Sequence, residues 1–236
     1  MGKSRKKRLV NLQQGFTLVE LIVAMAIAGI VMGAIYSTYR SQQHSYVTQT
    51  HVVEMQQNLR AALYVIGRDI RMAGFNPTGI TDLAGFVTSL VDGDTTETTD
   101  STNMAFTIDD DANGAINTDD SDEQIAYRLD SNRLQKYTYD TVLGWDWRTV
   151  AENIDAIDFV YLNGAGNPVD PTTVTNLPLI RSVQISLIAK TGQIDRDFPG
   201  TPAYNNQQGT EILVAKSDNY RRRLLTTDIR CRNMGI

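Results

Sequence analysis

Two short stretches carry residue types at spacings that could do chemistry. The first is Asp109-Asp110-Asp111-Ala112-Asn113-Gly114-Ala115-Ile116-Asn117-Thr118-Asp119-Asp120. Side-chain oxygens at alternating positions can wrap a hard cation, and a glycine in sixth place allows the sharp bend that such a loop needs. The pattern gives ligand roles to Asp109, Asp111 and Asn113, to the main-chain carbonyl of Ala115, to Asn117 through a water, and to Asp120. Asp120 stands where Ca²⁺ loops usually carry a bidentate Glu, and its shorter reach weakens binding. Strand-like rather than helical sequence flanks the loop, so a bound Ca²⁺ would be a structural staple in a β-hairpin. The alternative is an acidic, solvated hairpin loop, because Asp and Asn are abundant in turns.

The second stretch is GFTLVELIVAMAIAGIVMGAIY, residues 15–36, in which Glu20 is the one charged side chain. An ionised carboxylate at hydrocarbon depth costs roughly 2.5 kcal/mol or more unless it is paired. If the chain is cut between Gly15 and Phe16, a positive amine appears four residues before Glu20. Within one helix the two are badly placed to meet. In parallel helices offset along their axis, the Glu20 of one subunit meets the amine of its neighbour. Such pairing cancels two desolvation penalties and fixes axial register.

Other reactive residue types fit plainer roles. His44 and His51 lie on one helix face without a third ligand nearby and are expected at the surface. Cys231, the single cysteine, is expected as a small buried residue. Arg221, Arg222 and Arg223 are expected to pair with local acids or to face water. Trp145 and Trp147 are expected in the core. No nucleophile elbow, metalloprotease helix or phosphate loop occurs, so the chain is not expected to be an enzyme; a membrane-tethered hydrolase is the competing class.

The elements that must position these residues follow from charge and periodicity. Lys3, Arg5, Lys6, Lys7 and Arg8 carry five of the 22 basic residues; without them 17 basic side chains face 27 acidic ones and the net charge moves from −5 to −10. An acidic body argues against direct nucleic-acid binding. The basic leader followed by about 20 apolar residues reads as a membrane-crossing helix with its start held in the cytoplasm. A cleavable secretory signal would place small residues after the apolar core; here the sequence continues in helical pattern. Apolar or aromatic residues recur at Tyr36, Tyr39, Tyr46, Val53, Leu59, Leu63, Ile66 and Ile70. Gly74 and Pro77 then supply a stop. A helix over residues 16–73 would be about 87 Å long. Gly29 and Gly33 are spaced for close approach of helices, although Gly is common in membrane helices anyway. Beyond Pro77, residues 104–108, 124–129, 133–139, 156–162, 182–190 and 223–231 read as strands, and residues 92–103 as an exposed, mobile loop.

The string Gly15-Phe16-Thr17-Leu18-Val19-Glu20 after a short basic leader resembles the signal of type IV prepilins and type II secretion pseudopilins. That resemblance implies cleavage after Gly15 by a membrane-embedded prepilin peptidase, N-methylation of Phe16, and a docking role for Glu20 in the growing filament. NLRAALYVIGRDIRMAGFNP (58–77) and RRRLLTTDIRCRNMGI (221–236) are similar to PilW-type minor pilins, a subfamily also similar to the J-type pseudopilin.

The expected fold is thus α+β and type IV pilin-like. A long amino-terminal helix, transmembrane in its first half and amphipathic in its second, would pack on an antiparallel β-sheet head. The expected divisions are a cleaved cytoplasmic leader (1–15), a transmembrane or filament-core helix (16–36), an amphipathic helix (37–76) and a β-rich head (77–236). The resemblance implies a low-abundance pilin that initiates or caps a pilus and works with other minor and major pilins, prepilin peptidase and the inner-membrane assembly platform. It would sit in the inner membrane as a single-pass protein with a periplasmic carboxyl terminus, then on the pilus at the cell surface. A type II secretion pseudopilin and a Ca²⁺-dependent adhesive filament subunit are the alternatives. No cofactor is required beyond the structural Ca²⁺ that the acidic loop could hold.

Overall fold

The computed structural model describes residues 15–79, 85–90, 99–116, 123–140 and 144–235, without the side chains of Asp140 and Trp145. The basic leader, most of the 92–103 segment, Asn117 and Asp120 lie outside the described residues. The chain divides into two compact units, residues 1–48 and 49–236.

A single helix, α1, runs from Leu18 to Met72. No proline interrupts it, and Ala, Leu, Met and Gln are frequent along its length, all good helix formers. It contains a stretch long and apolar enough to cross a bilayer, whose side chains are exposed. At the other end the chain turns through Gly74, whose φ of +74° suits the left-handed cap that ends many helices. The Gly74 amide leaves the helix and donates to Thr107 O at 3.2 Å. That bond hands the helix end to a strand.

The apolar stripe is buried over less of the helix than its sequence pattern suggests. Met55, Leu59, Ala62, Ile66 and Ile70 are buried, and Leu63 is half-buried. Tyr36, Tyr39, Tyr46 and Val53 are exposed. Periodicity identifies one helix face; which turns of that face are covered depends on where the strands lie beside it.

Two antiparallel sheets cover the stripe. The first is a meander of five strands in sequential order: β1 (Gly85–Phe86), β2 (Met104–Thr107), β3 (Gln124–Asp130), β4 (Arg133–Asp140) and β5 (Gly144–Glu152). β6 (Ile154–Asn163), β7 (Pro168–Val169), β8 (Ile180–Lys190) and β11 (Arg222–Arg230) form the second, in the order β11-β8-β6-β7. β9 (Tyr204–Asn205) and β10 (Glu211–Leu213) make a small ribbon. Alternation sorts the faces. Met104 and Phe106, Ile125 and Tyr127, and Phe159 and Tyr161 join the helix stripe in one core, while Ala105 and Ala126 turn to the opposite side. The architecture is therefore the expected α+β one, a long amino-terminal helix packed on an antiparallel head.

Two buried carboxylates fasten the elements together. Asp69 on α1 accepts hydrogen bonds from Tyr127 OH at 2.6 Å and Arg68 Nε at 3.0 Å, and pairs with Lys136 Nζ at 2.8 Å. Burial pushes its pKa up, but Lys136, Tyr127 and Arg68 outweigh burial and hold the carboxyl below the ordinary range. Asp155 meets Arg222 Nε at 2.5 Å and Lys190 Nζ at 3.2 Å. Arg222 also reaches Asp218 at 2.5 Å, and that hydrogen bond is the main cause that lowers the exposed Asp218 carboxyl to about 2.

Candidate functional site

The start of α1 places the first set of candidate residues. Gly15 and Phe16 precede the helix outside any regular element and are exposed, Phe16 by 92%. Thr17 is the N-cap. Its hydroxyl accepts the Glu20 amide at 3.2 Å, while Glu20 Oε2 accepts the Thr17 amide at 2.9 Å and the Thr17 hydroxyl at 3.0 Å. This is a capping box, in which the residue before the helix and the third residue within it satisfy each other's free donors. The T-x-x-E spacing at Thr17 and Glu20 was a local signal for it. Glu20 thus has a physical role within its own chain: it closes the first helical turn, with its carboxylate bonded to the Thr17 amide that follows Phe16. A cut at the Gly15–Phe16 bond leaves the Thr17 amide, and hence the box, intact.

The acidic loop is the second set. β2 and β3 pair antiparallel through Thr107 and Gln124, and the Ile108 amide extends the ladder to Glu123 O at 2.9 Å. The loop springs from this end. Asp109 is fully buried; its amide donates to Phe75 O at 2.8 Å, and its Oδ2 accepts from Thr78 Oγ1 and the Gly114 amide, each at 3.2 Å. Gly114 adopts φ +80°, the bend the loop pattern demands. Asp111 and Asn113 are exposed and bonded to each other, Asn113 Nδ2 donating to Asp111 Oδ2 at 2.7 Å. Asn113 Oδ1 accepts the Ala115 amide at 2.8 Å.

The residue that joins Asp109 and Asp111 is one the loop pattern does not contain. Glu123 is buried, and one oxygen each from Asp109, Asp111 and Glu123 lie within 4.8 Å of one another. Asp109 Oδ1 has no hydrogen-bond partner among the described residues. Two carboxylates at that distance repel by about 3 kcal/mol at an effective dielectric near 20, and a divalent cation between them reverses the sign. Strand register was the signal for Glu123: it stands opposite Ile108, one step from Asp109.

Other expectations meet the structure more simply. His44 is exposed, and His51, half-buried, lies 3.4 Å from Glu54. Cys231 is buried, and burial pushes its thiol up to about 12. Arg221 pairs with Asp195 at 2.8 Å, Arg222 has a fully buried side chain, and Arg223 is exposed. Trp147 is half-buried, with the Arg128 guanidinium 3.9 Å from its ring centroid and Tyr137 5.0 Å away. The end of the 92–103 segment is anchored rather than loose. Thr99 is fully buried and its hydroxyl donates to Val87 O, while the Ser101 carbonyl accepts the Phe159 amide at 2.7 Å. Thr and Ser in a polar run gave no hint of that pairing, because the partners, Val87 just past β1 and Phe159 on β6, lie elsewhere in the sequence.

The comparisons with known proteins bear on the same two regions. Residues 10–36 match the prokaryotic N-terminal methylation motif, and residues 48–199 match the family described as prepilin peptidase-dependent protein B. A type IV-like pilin from Thermus thermophilus is a similar solved structure, with 14% identity, a TM-score of 0.47, and coverage of 77% of this chain and 98% of that one. No curated protein matches the sequence. Pilin-like families are structural subunits that associate with other pilins after processing by prepilin peptidase. With its methylation motif on the apolar start of α1 and the longer match running from the second half of that helix through β8, the chain belongs to the prepilin peptidase-dependent protein B family of type IV prepilin-like proteins.

Proposed function

We propose that the protein is a minor subunit of a type IV pilus, cleaved after Gly15, methylated on Phe16 and inserted at an early or terminal position in the filament. The observation that carries this reading is the start of α1. An exposed Gly15-Phe16 bond leads into an apolar helix able to cross a bilayer, whose capped first turn carries the Glu20 carboxylate. A leader rich in Lys and Arg favours retention of the amino terminus in the cytoplasm, so the head would face the periplasm before assembly and the cell exterior afterwards. An elaborate head with two sheets suits a subunit present in few copies, since the repeating subunits of a filament tend to carry smaller heads.

Glu20 is the residue to test, because its two roles separate chemically. Gln at the same position keeps the capping box but carries no charge to meet a neighbouring amine. Glu20→Gln should be cleaved normally yet be depleted at least tenfold from sheared filaments. Recovery of Glu20→Gln at the wild-type level would reduce Glu20 to a helix cap and remove the electrostatic basis of the reading. Mass spectrometry of protein from cells should find a chain that begins with methylated Phe16; an intact leader would rule the processing out.

A further inference from the structure

We propose that Asp109, Asp111 and Glu123 bind a divalent cation, Ca²⁺ in preference to Mg²⁺, which fastens the β2–β3 hairpin to the segment that follows α1. The proposal is independent of the role in pilus assembly. Three carboxylates from two sides of one hairpin converge within 4.8 Å, with Asp109 and Glu123 buried and Asp111 exposed. Asp109 supplies the second, independent sign. Its side chain is fully buried, one oxygen is held by Thr78 and Gly114, and the other, Oδ1, has no hydrogen-bond partner among the described residues. A buried carboxylate oxygen left without a donor is costly unless something positive completes it.

The chemistry of the group selects the ion. All the donors are hard oxygens, with no imidazole or thiolate among them, which disfavours zinc and copper. Asp111 sits at the solvent edge, so water can fill the remaining positions. Ca²⁺ accepts six to eight oxygens in irregular geometry, whereas Mg²⁺ demands a near-ideal octahedron. Asp109 also donates its amide to Phe75 O, so an ion held at this carboxylate ties the loop to the chain just beyond the helix end.

The test uses the full-length protein in detergent, stripped with chelator, and titrated with CaCl₂ by calorimetry and thermal unfolding. One Ca²⁺ should bind per chain, and at a hundredfold excess over Kd the Tm should rise by about 5–10 °C. Asp111→Asn, at an exposed position, should weaken binding at least tenfold and leave the calcium-free Tm unchanged. Glu123→Gln should weaken binding as much while keeping or raising the calcium-free Tm, because one of two mutually repelling buried acids is neutralised; a merely structural Glu123 would lower it. If Glu123→Gln does not fold, Asp111→Asn decides alone. The proposal fails if CaCl₂ up to about 10 mM, above the Kd of weak extracellular sites, gives neither heat nor a Tm shift. It also fails if Asp111→Asn binds Ca²⁺ as the wild type does, or if Mg²⁺ gives the same shift in both proteins.

Discussion

Replacing Asp69 with Ala should release α1 from the five-stranded sheet, and the structure sets the size of the effect. Three donors converge on this carboxylate: the fully buried Tyr127 hydroxyl, Lys136 with a side chain 15% exposed, and Arg68 with one 66% exposed. Arg68 contributes little, since solvent screens it. Tyr127 loses its partner in the core, at about 1–3 kcal/mol. Lys136 keeps a buried charge without its counterion; such losses run to about 3–5 kcal/mol, and its partial exposure puts it at the low end. A total of about 4–6 kcal/mol corresponds to a Tm lower by about 8–24 °C for a head of this size. Urea unfolding followed by circular dichroism measures it, and an Asp69→Ala protein within about 1 kcal/mol of wild type would refute the reasoning. The triple change Asp69→Leu, Tyr127→Phe, Lys136→Met should recover most of the loss, because removing every member of a buried polar group leaves no orphan. Acidity gives an independent check. The native carboxyl titrates below its ordinary value, so its contribution is complete above the unfolded pKa near 3.9 and is lost as pH falls through the native one. The stability gap between wild type and Asp69→Asn should be level from about pH 5 to 8 and shrink below about pH 4.

Gly15→Ala should leave a full-length precursor in the membrane, read as an unshifted band on an immunoblot. Gly200→Ala should cost at least about 2 kcal/mol in thermal unfolding. Gly200 adopts φ +135°, and an added Cβ would meet the Lys216 carbonyl oxygen at 2.1 Å, breaking the Thr201–Lys216 bridge. Cys231 should resist a thiol reagent at pH 8 in the folded protein and react within seconds in denaturant, because its thiol is buried and pushed up to about 12; rapid labelling of the folded chain would contradict that burial.

Local pattern made much of this fold legible. The six segments read as strands from β-branched and aromatic content became β2, β3, β4, β6, β8 and β11 with ends moved by one or two residues. The helix end at Gly74 followed from a residue tolerant of positive φ. β5, with its Trp145-Asp146-Trp147-Arg148 run, was missed because charges interrupt its alternation; pairing with β4 along its whole length supplies what its own pattern lacks. β1, β7, β9 and β10 are two or three residues long and carry no period to read.

By itself the sequence determined whatever neighbours along the chain decide: a basic leader, a Gly-Phe bond, Thr17 three residues before Glu20, an apolar run of bilayer length, and the helix that carries them. Tertiary structure decided which residues distant in sequence share a site. Asp69 meets Lys136 and Tyr127, Asp155 meets Arg222, and Glu123 reaches Asp109 and Asp111. Strand register and the packing of strands against α1 set those encounters. A buried charge must find its partner wherever the fold brings one, and periodicity along a single element does not say which distant element that will be.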